Sequence, residues 1–191
     1  MHRKIRDNLR GHGNWMNKME YFYEYKSAIG DITITSNETG ITGVRFKRQS
    51  ENEEPHDKIY KETSTIKETE KWLDIYFSGK NPEFIPPLNA VGTEFQKLVW
   101  KMLLEIPYGK TTTYGEIARK IAEIKNVSRM SAQAVGGAVG KNPIAIIIPC
   151  HRVVGKNGNM TGYAYGIGKK IALLELEGAD MGKFFEDWES Q

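Results

Sequence analysis

Cysteine is almost missing from this chain: Cys150 is the only one in 191 residues. A lone thiol excludes an internal disulfide and any zinc site built on several cysteines, and it suits a reducing cytoplasm. Long apolar runs are also missing. None approaches the ~20 residues needed to cross a bilayer, and the first residues lack the apolar centre of a secretory signal, so a cytoplasmic protein with no membrane partner is expected. Repeats and low-complexity segments are absent. Charge of either sign is scarcely in excess, with 27 Lys and Arg against 24 Asp and Glu, and that balance alone says little about partners.

What is present suits a globular protein of one large domain or two small ones. Residues 1–20 carry His2, Arg3, Lys4, Arg6 and Arg10 with no helical or strand period, and are read as a mobile, dispensable basic leader. Between Tyr21 and Phe46, short β-like runs separated by Gly30-Asp31 and Asn37-Glu38-Thr39-Gly40 predict a small antiparallel meander. Gln49 to Lys61 reads as an exposed polar loop containing His56. Ile66, Trp72, Leu73, Tyr76 and Phe77 then predict an amphipathic helix over Thr65–Phe77, ended by Ser78-Gly79. Pro82, Pro86 and Pro87 mark a linker. The expected division is an α/β unit over 21–88, a helical domain over 89–180 and a tail over 181–191.

Helix signals dominate beyond the prolines. Thr93 with Gln96 forms a capping box before Phe95, Leu98, Val99, Met102, Leu103 and Ile106, and Thr113 with Glu116 opens a second helix carrying Ile117, Ala118, Ile121 and Ala122. A third helix should start near Ser131 and stop before Asn142-Pro143. Two short helices joined by a polar turn suggest a helix-turn-helix of winged-helix type, whose second helix lies along DNA. In that helix Gly136 and Gly137 each cost about 1 kcal/mol relative to Ala, which implies close approach by DNA on one side or by another helix. From Lys97 to Lys156 there are ten basic residues and three acidic ones; the excess favours a polyanion, or is a solvated basic face.

The chemistry centres on Pro149-Cys150-His151-Arg152-Val153. A free cysteine most often packs as a small hydrophobe, and as a nucleophile it needs a base, because only a few per cent is thiolate near neutrality. His151 is adjacent, but on an extended strand neighbouring side chains point to opposite faces. Glu177 falls in the last turn of a helix over 169–177, where the macrodipole disfavours a carboxylate; a protonated His151 would offset that.

Pro-Cys-His-Arg-Val resembles the active-site signature of the O6-alkylguanine-DNA alkyltransferase family. The resemblance extends over Gly92-Thr93-Glu94-Phe95-Gln96, Ile106-Pro107-Tyr108-Gly109, Thr113-Tyr114-Gly115-Glu116, Ala134-Val135-Gly136-Gly137, Asn142-Pro143 and Leu174-Glu175-Leu176-Glu177-Gly178, in the family's order. It implies an α+β protein with a small N-terminal antiparallel sheet and helix and a C-terminal helical domain. The implied function is irreversible transfer of an alkyl group from O6-alkylguanine, or O4-alkylthymine, in double-stranded DNA to Cys150 after the base is flipped. By the same resemblance His151 acts through a bridging water and is held by Glu177, and Tyr114 bonds the guanine N3 and protonates the leaving base. The backbone of Cys150 and Val153 accepts from the exocyclic amine, the loop at Tyr163 and Ala164 closes over the base, and Asn142 ties the recognition helix to the active-site strand. Ala132, Gln133, Ala134, Gly136 and Arg129 would face DNA. A monomer with neither cofactor nor metal is implied, since the zinc-binding cysteines of some relatives are missing. Two departures stand out: Gln133 replaces an intercalating arginine, and Tyr165 occupies a position where many relatives have glycine, which would narrow the pocket.

Two other readings compete. A Cys-His hydrolase would draw its histidine from far away, and His2, His12 and His56 sit in highly charged or irregular stretches. A non-enzymatic sensor of alkylated DNA would lack the reactive cysteine.

Overall fold

The computed structural model describes residues 19–47 and 58–184; His56, most of the leader and residues 185–191 lie outside them. The meander forms as β1 (Tyr21–Tyr25), β2 (Ile32–Asn37) and β3 (Gly40–Phe46). Along β2 burial alternates with the pleat, so that Ile32, Ile34 and Ser36 face inward. One strand was not foreseen. Ile59–Tyr60, within the expected loop, is β4 and pairs in parallel with β1, giving the order β3-β2-β1-β4. The sheet is therefore mixed, since a two-residue strand far along the chain leaves no periodic signal.

Helix α1 (Ser64–Phe77) covers one face of the sheet with Ile66, Trp72, Leu73 and Tyr76. Its N-cap is Thr63, whose hydroxyl accepts from the Ile66 amide. The proline segment after α1 is tethered to the sheet edge, with Ile41 N on Pro87 O at 2.7 Å and Asn89 N on Ile41 O at 2.7 Å.

Both predicted capping boxes form, at Thr93 with Gln96 on α2 (Glu94–Leu104) and at Thr113 with Glu116 on α3 (Tyr114–Ile124). Between them Thr112–Thr113 is β5, which pairs in parallel with β6 (Val153–Val154). Helix α4 (Ala132–Gly140) follows α3 after the polar connection, buries Val135, Ala138 and Val139, and is held to α2 by Trp100 Nε1 on Ala138 O at 2.9 Å. The molecule is thus α+β with a helix-turn-helix. Helix α5 (Ile167–Leu176) begins two residues before the expected point, and Glu177 is its C-cap.

The two halves meet at the thiol. Val44 N donates to Pro143 O at 3.1 Å and Ala145 N to Val44 O at 2.9 Å, so strand β3 backs the segment that leads to Cys150. One apolar core runs through the sheet, α1, α2, α3 and the run 144–148.

Candidate active site

The segment before the thiol is not the active-site strand that the sequence suggested. Ile144 makes a single bridge to Val44, Ile146 takes φ 71°, and Cys150–Arg152 form one 3-10 turn. A left-handed β-branched residue costs about 1–3 kcal/mol and persists only when its surroundings over-determine it. Asn142 helps to do so. Its Nδ2 donates to Ile148 O at 2.8 Å and to Ile144 O at 3.3 Å, while its Oδ1 accepts from Ile144 N at 3.0 Å. The residue just past α4 thereby fixes the turn that presents Cys150.

Because Cys150, His151 and Arg152 share one tight turn, the opposite-faces argument for a strand fails. All three side chains are buried. Glu177 receives five hydrogen bonds: on Oε1 from Tyr76 Oη at 2.7 Å, His151 Nε2 at 2.7 Å and Arg152 Nη2 at 2.9 Å, and on Oε2 from Arg152 Nε at 2.9 Å and the Gly109 amide at 3.0 Å. Arg152 spends Nη1 on Ile106 O at 2.7 Å. Gly109 has φ 68°, and a Cβ there would sit 2.7 Å from Glu177 O, so this close approach requires glycine.

Burial opposes charge on Glu177, yet the hydrogen bonds from His151 and Arg152 and the charge of Arg152 outweigh it and hold the carboxyl at about 2. Burial pushes His151 below its ordinary range despite the pull of Glu177, and the charges of Arg152 and Lys170 act in the same direction. The imidazole is therefore neutral at neutral pH. The cation that offsets the carboxylate at the helix end is Arg152, in a bidentate fork, rather than the protonated His151 that was expected. With Nε2–H donating to Glu177, His151 Nδ1 is a bare lone pair; among the described residues it has no hydrogen-bond partner. Burial pushes the Cys150 thiol up, against an Asn142 hydrogen bond, the Lys170 charge and nearby backbone amides. The resting pair is thiol and neutral imidazole on one turn, a nucleophile and a base that do not bond each other directly.

Tyr114 lies across this site, half-buried at the start of α3, with its hydroxyl 3.4 Å from Gly162 O. Burial and the nearby Cys150 raise its pKa. Tyr163 is buried, its hydroxyl without a partner among the described residues, while Ala164 is exposed. The Tyr165 ring packs edge-on against Phe46 at 5.3 Å and against Tyr163 at 5.5 Å.

On α4, Ala132, Gln133 and Ala134 are exposed, as is Arg129 before it. Only the first residue of α3, Tyr114, comes near its glycines. A Cβ on Gly136 would meet only the Tyr114 ring at 3.7 Å, and one on Gly137 nothing within 4 Å. This leaves a smooth face open to a partner outside the chain.

Sequence reasoning missed three participants. Arg152 stood in the quoted motif without a role, and Tyr76 was read only as a core residue of α1. The third, Lys170, is fully buried, with Nζ on Val153 O at 2.6 Å and Thr161 O at 2.8 Å; basic residues near a helix start carry no signal of burial. Burial lowers its pKa to about 8, against the opposite pull of Cys150. A lowered lysine pKa means that the charged form costs stability below pH 8, by about 3 kcal/mol for a shift of this size, and that the cost disappears as pH rises through 8 toward 10.5. Urea unfolding of the protein and of Lys170→Met should therefore show the difference between them shifting in favour of lysine between pH 7.5 and 10. A pH-independent difference would mean that the fold does not lower the Lys170 pKa.

Two family models match the chain: the ribonuclease-like domain of 6-O-methylguanine DNA methyltransferase over residues 21–90 and the DNA binding domain of the same family over 94–179. A methylated-DNA–protein-cysteine methyltransferase of Methanosarcina acetivorans is 44% identical over 83% of the chain and 99% of its own length. One from Methanosarcina barkeri is 46% identical over 82% and 96%. Among solved structures, the O6-methylguanine methyltransferase of Mycobacterium tuberculosis superposes with a TM-score of 0.71 at 42% identity, covering 83% of this chain and 93% of that one. A Mycobacterium tuberculosis structure in complex with DNA gives 0.70 at 39%, covering 87% and 99%.

Proposed function

The chain belongs to the 6-O-methylguanine DNA methyltransferase family, and we propose that it repairs DNA by moving the alkyl group of O6-alkylguanine onto its own Cys150, once per molecule. Transfer from methylated DNA to a protein cysteine is the activity of the family; the roles of the individual residues are our reading. The observation that carries it is the state of the Cys150–His151 pair: a buried thiol in one turn with a neutral imidazole whose Nε2 is tied to Glu177 and whose Nδ1 lone pair is free.

Arg129 and the exposed start of α4 meet the duplex, Gln133 enters the stack, and the open Gly136 lets the backbone approach. The target nucleotide rotates out toward Tyr114 and Cys150, where the carbonyls of Cys150 and Val153 accept from its exocyclic amine and the loop at Tyr163 and Ala164 covers it. The Val153 carbonyl already accepts from Lys170, which leaves it one lone pair for the base. The Cys150 proton passes to His151 Nδ1 through a bridging water, as the family resemblance implies. The thiolate attacks the alkyl carbon, the S–C bond forms, and the C–O6 bond breaks with its electron pair going to guanine. Tyr114 protonates the leaving base and recovers its proton from solvent. Glu177, locked by Arg152, Tyr76 and Gly109, keeps His151 in the useful tautomer and stabilises the imidazolium that forms. Nothing in the cycle regenerates the thiol from S-alkylcysteine, so the protein is consumed. The need for a free thiol suits the cytoplasm.

Mixed with excess duplex carrying one O6-methylguanine, the protein should remove one methyl group per molecule and then stop. Continued turnover would contradict a consumed thiol, and binding without methyl loss would make the protein a lesion sensor instead.

A further inference from the structure

A single cation stands at the mouth of the DNA-facing groove. The register Thr112 to Val153 and Thr113 to Val154 lays β6 beside the start of α3, so the turn after β6 overhangs Tyr114. That turn is closely determined. Gly155 N donates to Asn159 O at 2.7 Å and Asn159 N to Lys156 O at 3.3 Å, and Asn157 and Gly158 both take left-handed conformations, at φ 58° and 80°. Lys170 secures the two flanks through Val153 O and Thr161 O. Lys156 sits on this fixed turn with an exposed side chain and lines a groove of about 580 Å³ together with Thr113, Tyr114, Ala132, Gln133 and Gly136. It is the one charged residue of the lining. Among the described residues its ammonium has no ion-pair or hydrogen-bond partner.

This placement has a consequence for base extrusion, on whose assignment to this chain the following rests. A neutral Gln133 can fill the vacated stack but brings no charge, while a rotated nucleotide carries its phosphates with it and needs them held. We propose that Lys156 binds the backbone phosphate beside the extruded nucleotide and supplies from the turn the positive charge that the recognition helix lacks at Gln133. Lysine suits this role as a point charge, which tolerates the shifting geometry of a rotating phosphodiester better than a planar fork does. The phosphate contact carries no sequence information, so the effect should appear wherever the lesion lies.

The test compares single-turnover methyl transfer from a duplex containing O6-methylguanine with transfer from O6-methyl-2′-deoxyguanosine, which has no phosphate. For Lys156→Gln the duplex-to-nucleoside rate ratio should fall about tenfold, and the slope of log affinity for duplex against log salt should become shallower by about one. Lys156→Arg should recover most of the ratio, because it restores the charge. An unmoved ratio in Lys156→Gln, or a loss that arginine does not recover, overturns the proposal. A wild-type protein that moves methyl from neither substrate overturns instead the alkyl-transfer reading on which it rests.

Discussion

Glu177→Gln should unfold more easily by about 3–5 kcal/mol and transfer methyl at least tenfold more slowly near neutral pH. The stability loss follows from charge. Arg152 stays buried with two of its donors aimed at a neutral amide, and removing one partner of a buried pair leaves the other uncompensated. The rate loss follows from the imidazole. Without the carboxylate, nothing opposes the burial that already depresses His151, so the base weakens and Cys150 keeps its proton. Higher pH should restore part of the rate by ionising the thiol directly, while affinity for duplex DNA stays near that of the parent. The acid limb carries its own signature. A carboxyl held at about 2 in the folded protein and near 4.5 unfolded contributes its full stabilisation above pH 4.5 and loses it as pH falls through 2. Denaturant unfolding between pH 6 and 2.5 should show this slope in the parent and a flatter one in Glu177→Gln. Equal single-turnover rates for the folded variant across neutral pH would return Glu177 to a purely structural part.

Cys150→Ser should abolish methyl transfer and leave DNA binding. A serine hydroxyl fits the same small, buried place, but its ordinary pKa lies far above that of a thiol and a weakly basic neutral imidazole does not ionise it. The binding surface proposed above lies elsewhere, on Arg129 and the exposed residues of α4. Affinity for duplex measured by fluorescence anisotropy should therefore match the parent and fall steeply with salt, while methyl loss from the lesion is undetectable. Loss of binding together with transfer would show that Cys150 supports the fold of the DNA-facing region rather than its chemistry.

The elements that were legible in the sequence are those whose signals are local. Thr93 with Gln96 and Thr113 with Glu116 announce helix starts because the capping box is complete within four residues, and α1 is visible because Ile66, Trp72, Leu73 and Tyr76 repeat at helical spacing. Cys150, His151, Glu177 and Asn142 were assigned through the family motif, and the structure brings His151 and Glu177 into contact and sets Asn142 beside the turn that carries Cys150. Partners fixed only by tertiary packing were not legible. Tyr76 meets Glu177 across 101 positions of sequence, and no pattern around either residue predicts the meeting. Arg152 and Lys170 look like any surface cation until the fold buries them. The protonation state of His151 was not legible for the same reason, since burial lowers its pKa and burial is a property of the whole fold. Gly136 and Gly137 were seen as anomalous for a helix, but only the packing shows that the Tyr114 ring at the start of α3 comes near Gly136 while the space at Gly137 stays open.

The central claim, that Cys150 is the alkyl acceptor, is tested most directly by mass spectrometry of the protein after reaction with duplex DNA containing O6-methylguanine. The intact chain should gain the mass of one methylene, a methyl group in place of the thiol hydrogen, and after proteolysis the whole gain should reside on the peptide carrying Cys150. A gain on any other residue, or an unmodified protein beside demethylated DNA, would contradict the account.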